Sequence, residues 1–268
     1  MDKTIYPGSR ISRLPKPLKL PALMIRSLVA SGDAPAAFTY NHDGLATERY
    51  SPFLDDSAWD ELYWRMVREW FPTQPGTDVR WRMWTLTEWA KRTDGLGGFA
   101  EFGTWRGGCA FMVLSLTVDS QLHLFDTFAG TPAGRLTAQE AAAGFGGRLS
   151  DTSVGYVETL LAPWKERIRI HAGDIFDTLE NLETGALAMV HMDLNAAAPT
   201  RRALEYVDQR LIHGGVIVFD DYGAREYEEQ REVIDSFYSD RSDRPVALPT
   251  GQAVLVKLHP NPAGATSE

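Results

Sequence analysis

The chain has 268 residues, 44% apolar and 24% charged, with a formal net charge of −9. That balance fits a soluble globular protein of one large domain, or a domain with an appendage. It contains no run near the roughly 18 apolar residues of a membrane span, and its excess of acid argues against a nucleic-acid backbone as partner. The lone Cys109 has no partner for an internal disulfide and fits a reducing, cytoplasmic setting. Met1 to Arg13 is polar, without the apolar core of a secretion signal.

The first stretch, to about Ser31, carries Pro7, Pro15, Pro17 and Pro21 and should be extended or loosely packed. Arg10, Arg13, Lys16 and Lys19 make it thinly basic, as suits a mobile arm or a subunit contact. After Asp56 the pattern turns helical. Trp59, Leu62, Tyr63, Met66, Val67 and Trp70 share one helix face, with Asp56 or Ser57 as N-cap. Pro72 and Pro75-Gly76 break the chain before a second helix containing Trp81, Trp84, Glu88 and Trp89. So many tryptophans read first as a helical layer packed on the main domain or on a second subunit, and alternatively as an aromatic wall over a pocket.

From Gly98 strand and helix alternate, the rhythm of a parallel sheet with right-handed crossovers. The predicted strands are Phe99–Gly103, Leu122–Asp126, Ile168–Ala172, Leu187–Asp193 and Val216–Phe219. A last pair, Val246–Leu248 and Ala253–Leu258, is joined by a Pro249-Thr250-Gly251 hairpin, so the final strand should run antiparallel. Predicted helices are Gly107–Val118, Val154–Pro163, Ile175–Asn181, Pro199–Leu211 and Glu226–Phe237. The expected layout is an arm and helical extension over 1–97, a cofactor-binding domain over 98–260, and a disordered tail over 261–268.

Ligands of open α/β sheets sit beyond the carboxyl ends of the strands, and three acids stand there: Asp193, Asp220 and Asp221. Side by side they would repel one another. A divalent cation relieves the conflict, and an all-oxygen set suits Mg²⁺; the plain alternative is acids that cap helices or face water. The first strand ends Glu101-Phe102-Gly103-Thr104-Trp105-Arg106-Gly107-Gly108, a turn that lets a ligand approach the next helix N-terminus. It is not the dinucleotide fingerprint. Asp126 ends the second strand, where an acid typically grips ribose hydroxyls, and Asp174 follows the third, within reach of an adenine amino group. Taken in this order, the three features point to an adenosyl cofactor.

Glu101 to Gly108, Phe125-Asp126-Thr127-Phe128-Ala129-Gly130-Thr131-Pro132, His191-Met192-Asp193-Leu194-Asn195 and Phe219-Asp220-Asp221-Tyr222-Gly223 together resemble the macrocin O-methyltransferase family. These are class I S-adenosylmethionine-dependent enzymes that methylate sugar hydroxyls of natural products, including antibiotics. The resemblance runs from about Asp43 to Lys257. It implies an α/β fold with the Rossmann-like, seven-stranded class I methyltransferase sheet, order 3-2-1-4-5-7-6 with strand 7 antiparallel, behind an N-terminal helical extension used in oligomer contacts. It implies cofactor contacts from Glu101, Gly103, Thr104 and Gly107, from Asp126, Thr127 and Phe128, and from Asp174 and Ile175. It implies Mg²⁺ on Asp193, Asp220 and Asp221, with Asp193 as the proton acceptor. Where the family reads Asp-Gly-Asp-Leu-Tyr-Glu, this chain has Asp193-Leu194-Asn195-Ala196-Ala197-Ala198, a less acidic and smaller-walled version.

The leading expectation is therefore a Mg²⁺-dependent O-methyltransferase of a small hydroxylated metabolite, a sugar, diol or phenol, working as a homo-oligomer (a dimer or larger). The alternatives are a metal-independent methyltransferase acting on an amine or other acceptor, and a catalytically silent cofactor-binding partner. The Gly-rich stretch Ala129 to Ser153 reads as a lid or a tolerated insertion. His123, His171 and His191 read as neutral, hydrogen-bonded structural histidines. His42 could reach the acceptor from the N-terminal region. Cys109, just inside a helix, reads as small packing.

Overall fold

The computed structural model describes residues 51–70 and 78–259. The proline-rich arm, His42, the break at Pro72 and Pro75-Gly76, and the tail lie outside them. Seven strands form one sheet: β1 Gly98–Phe102, β2 Leu122–Asp126, β3 Ile168–Ala172, β4 Leu187–Met192, β5 Leu211–Phe219, β6 Val246–Ala247 and β7 Ala253–Val256. Their order is β3-β2-β1-β4-β5-β7-β6. β1 to β5 are parallel, and β7 runs antiparallel to both neighbours. This is the expected α/β sheet. β5 begins at Leu211, earlier than predicted, and takes Gly214-Gly215 into the strand.

The helices are α1 Pro52–Asp55, α2 Ser57–Trp70, α3 Arg80–Thr93, α4 Gly108–Leu116, α5 Ala138–Ala142, α6 Val154–Leu160, α7 Ile175–Thr178, α8 Ala197–Asp208 and α9 Glu228–Phe237. None among the described residues is long and apolar enough to cross a membrane. The predicted face of α2 is the buried one: Trp59, Tyr63, Met66 and Val67 enter the core, and Asp56 caps the helix through Oδ1 to the Trp59 N–H at 3.0 Å. Each fully buried large apolar side chain contributes about 1.5–3 kcal/mol, so this face alone holds the helix down. The helical extension and the sheet share one core, in which Phe53, Trp59 and Leu86 pack with Phe99, Met189 and Val218. The tryptophans are thus mostly a packed layer, with Trp70 as the exception described below.

Period-2 alternation puts Phe99, Met189, Val216, Val218 and Val254 on the sheet face covered by α2, α3 and α4. Ala100, Phe102, Val190, Met192, Ile217 and Phe219 face the other core, against α7, α8 and α9. Two residues further along the first face stand Glu101, His191, Asp220 and Gln252, so a polar patch continues the apolar one toward the ligand end.

On the β2–β3 side, His123 and His171 stack with centroids 5.3 Å apart and ring nitrogens 3.0 Å apart. As expected they are neutral: burial and the charge of His171 lower His123 to about 4, and burial lowers His171. An unfolded histidine takes up its proton near pH 6.5. Between about pH 6.5 and 4 the unfolded chain therefore binds more protons than the native one, and stability falls on acidification. His123→Gln should make the fall in Tm across this window shallower; an unchanged slope would show that the pair protonates freely in the native state.

Candidate active site

The carboxyl ends of β1, β4 and β5 are stitched together beyond the strands proper. The Asp193 N–H donates to Phe102 O at 2.8 Å and the Asp220 N–H to Met192 O at 3.0 Å. The two acids thus stand side by side at the end of the face covered by α3. A cavity of about 400 Å³ opens here, lined by Asp193, Asp220 and Asp221 and running past Gly103 and Asp126 to Asp174. A volume of that order suits a small-molecule site.

The strand ends are sharply turned. Trp105 (φ 45), Phe128 (φ 53) and Asn195 (φ 56) each follow a strand by two or three residues and hold a backbone conformation rare outside glycine. Such residues concentrate where function over-determines the backbone. Gly103 (φ 92) is obligatory: a Cβ there would lie 1.9 Å from Asp193 O. At Gly108, a Cβ would come within 2.3 Å of the Trp70 ring, which closes over the N-terminus of α4.

Of the nine residues expected at the cofactor, Glu101, Gly103, Thr104, Asp126, Thr127, Asp174 and Ile175 line the cavity; Gly107 and Phe128 do not. Gly107 is the N-cap of α4 and faces Val157, and Phe128 packs on the core. Asp126 accepts from the Trp105 N–H and the Phe128 N–H, both at 2.7 Å. Burial outweighs these bonds and pushes its pKa up. Asp174 caps α7 through the Phe176 N–H at 3.0 Å and pairs with Arg135 Nε at 2.7 Å. Glu101 Oε2 and Thr104 Oγ1 are buried without partners, the kind of acceptors that an ammonium group entering the cavity would satisfy.

The three acids after β4 and β5 differ from one another. Asp220 and Asp221 are both ion-paired to Arg82 on α3, a buried residue whose Nη2 lies 2.5 Å from Asp221 Oδ1. Gln252 Nε2 donates to Asp220 Oδ1 at 2.8 Å. Burial alone would raise the pKa of Asp220, but Arg82, His191 and Gln252 hold it below the usual carboxylate range. Asp193 has no such partner. Its Oδ1 is buried and unbonded, and burial with the charges of Asp220 and Asp221 pushes it well up. Asn195 Oδ1, at the family's second-acid position, is likewise buried and unbonded. The ligand atoms gathered within 4.8 Å of one another are those of His191, Asp193 and Asp220, rather than all three acids.

His191 departs from expectation. It lies between Glu101 (Oε1 3.1 Å from Nδ1) and Asp220 (Oδ1 3.7 Å from Nε2). Burial alone would lower its pKa; the two carboxylates outweigh that and push it up to about 10, so it is a cation. Cys109 matches expectation: burial raises its pKa well above the ordinary thiol value. The sequence reading missed Arg82 and Gln252. Arg82 did leave a signal, standing on the stripe Arg82, Met83, Leu86, Thr87, Ala90 that α3 buries. Gln252 left none.

Residues 80–247 match the family model of the macrocin O-methyltransferases (TylF). The chain belongs to that family. It is accordingly an S-adenosylmethionine-dependent O-methyltransferase. No curated protein matches the sequence. Among solved structures, the O-methyltransferase NovP is similar at 18% identity and a TM-score of 0.61, over 69% of this chain and 82% of its own. The calicheamicin methyltransferase CalS11 is similar at 19% identity and a TM-score of 0.57, over 78% of this chain and 94% of its own. At these identities the likeness is one of fold.

Gly103→Ala should lower Tm and weaken S-adenosylhomocysteine binding, because strand end and turn must separate. Gly108→Ala should weaken binding too, and the added change Trp70→Ala should recover part of it. Calorimetry on the three variants checks this, and no recovery in the double variant would show that the Trp70 ring does not set the turn.

Proposed function

We propose that the chain moves a methyl group from S-adenosylmethionine to a hydroxyl of a small metabolite, in first place a sugar of a natural product, with Mg²⁺ at Asp193, Asp220 and Asp221. The observation that carries this reading is the buried, unbonded Oδ1 of Asp193 in the same cavity as the Gly103 turn and Asp126. A lone buried carboxylate is costly unless a proton or cation joins it, and Arg82 and His191 pair with Asp220 and Asp221 but not with Asp193. The oxygen donors therefore fit Mg²⁺. The sugar acceptor is supported by the family and by CalS11, a TDP-rhamnose 3'-O-methyltransferase of calicheamicin biosynthesis whose apo form matches with a TM-score of 0.51 at 16% identity, over 78% of this chain and 96% of its own.

S-adenosylmethionine supplies an electrophilic methyl on a sulfonium, and Mg²⁺ supplies charge that lowers the pKa of a hydroxyl and directs it. Alignment and deprotonation are left to the protein. Glu101 Oε2, Thr104 Oγ1 and the N-terminus of α4 hold the amino-acid end. Asp126, set by the backbone N–H groups of Trp105 and Phe128 and bordering the cavity, meets the ribose hydroxyls. Asp174 borders the adenine. Asp193 would help hold the ion with Asp220 and Asp221, and its carboxylate would take the acceptor's proton.

The segment 129–153 covers this chemistry and is not a loose insertion. Thr137 and Glu140 form a capping box, Glu140 Oε1 accepts from the Ala197 N–H at 2.7 Å, and Phe145 packs on Tyr227 with ring centroids 5.3 Å apart. Closed over the cavity, it keeps water from the reacting atoms.

Asp193→Asn should cut kcat by about 10²–10⁴-fold, the usual worth of a positioned base, and leave S-adenosylhomocysteine binding nearly intact. Asp126→Ala should weaken that binding by about 10–100-fold, the range for hydrogen bonds to a charged group, with a smaller effect on kcat. Equal small losses from both would refute the assignment.

A further inference from the structure

The arrangement around Asp220 bears on how the metal is admitted, and rests on the Mg²⁺ reading above. Oδ1 of Asp220 accepts from Gln252 Nε2 at 2.8 Å and from Arg82 Nε at 3.3 Å. A carboxylate oxygen has two lone pairs, so this one is filled. Oδ2 is ion-paired to Arg82 Nη2, which also donates to Asp220 O at 2.9 Å and reaches Asp221 Oδ1. Several contacts hold the guanidinium in the metal-free protein. Its residue is buried on α3, its own carbonyl accepts from Gln252 Nε2 at 3.3 Å, and α3 is pinned to α2 by Trp59 Nε1 to Thr87 Oγ1 at 3.0 Å and by the Val79 N–H to Tyr63 Oη at 2.8 Å. A divalent cation approaching Asp220 through its remaining lone pair would meet this guanidinium on the same oxygen.

We propose that Arg82 is a built-in counter-ion that holds Asp220 and Asp221 in the metal-free protein and competes with Mg²⁺ for them, so that metal binds only as Arg82 gives way. Asp193 and Asn195, whose buried oxygens have no partner, are then the first to receive the ion, and Asp220 and Asp221 join as the guanidinium withdraws. The arrangement stabilises the acids between turnovers and makes metal affinity weak and adjustable by one residue. The opposite design is an arginine that orients carboxylates from behind the metal, and there removal of the arginine weakens binding.

The sign of one affinity change separates these designs. Mg²⁺ is titrated calorimetrically into metal-stripped parent protein, Arg82→Met and Arg82→Lys, with S-adenosylhomocysteine heat reporting a folded cavity. Arg82→Met should bind Mg²⁺ at least about tenfold more tightly than the parent, have a lower metal-free Tm, and gain more in Tm from the ion. Arg82→Lys keeps the charge but loses the fork, and should bind more tightly by a smaller factor; it carries the test if Arg82→Met does not fold. Equal or weaker Mg²⁺ binding in the variants, with normal binding in the parent, would overturn the competition while leaving the metal reading standing. Absence of Mg²⁺ binding in all three would overturn the metal reading and the competition with it.

Discussion

Charge burial at the end of one sheet face is the constraint on which the rest of this structure depends. Glu101, His191, Asp193, Asp220 and Asp221 occupy the carboxyl ends of three adjacent strands, and Glu101, His191 and Asp221 are nearly inaccessible. Buried ions are tolerated only when paired and hydrogen-bonded. Here the pairing alternates: Glu101, His191, Asp220, Arg82 and Asp221 form a chain of opposite charges. Asp193 is left out of it, with one oxygen bare in the cavity.

That charge chain needs helix α3 in one position. The aromatic layer supplies it. Phe53, Trp59 and Trp84 meet within 5.2–6.3 Å of one another, and Arg80 ties the start of α3 to Asp60 on α2 and to Asp78. The tryptophan-rich segment thus presents Arg82 to the acids at the sheet's end. Only Trp70 carries that layer's aromatics into the cavity, where it closes over Gly108.

The cavity divides along the sheet. Toward β2 and β3, Asp126 and Asp174 have their oxygens committed to backbone N–H groups and Arg135, so their positions are preset. Toward β5, Asp220 and Asp221 answer to the side chains of Arg82 and Gln252.

Local sequence determined what depends on local physics. Apolar runs of strand length, glycines at a turn that leaves no room for a Cβ, and acids at the end of each run all show in the chain, because pleat period and backbone sterics act between near neighbours. The alternation of strand and helix, the hairpin of β6 and β7, and the acids at the strand ends were legible for that reason, whereas the strand order came from the resemblance to a known family. Tertiary structure alone decided which acid is free. Arg82 reaches Asp220 across 138 positions and Gln252 reaches it across 32, and no pattern along the chain encodes such a pairing. His191 was misread as neutral on the same account. Its charge is set by Glu101 and Asp220, which become its neighbours only when parallel strands align, and an imidazole takes its protonation from whatever surrounds it in space.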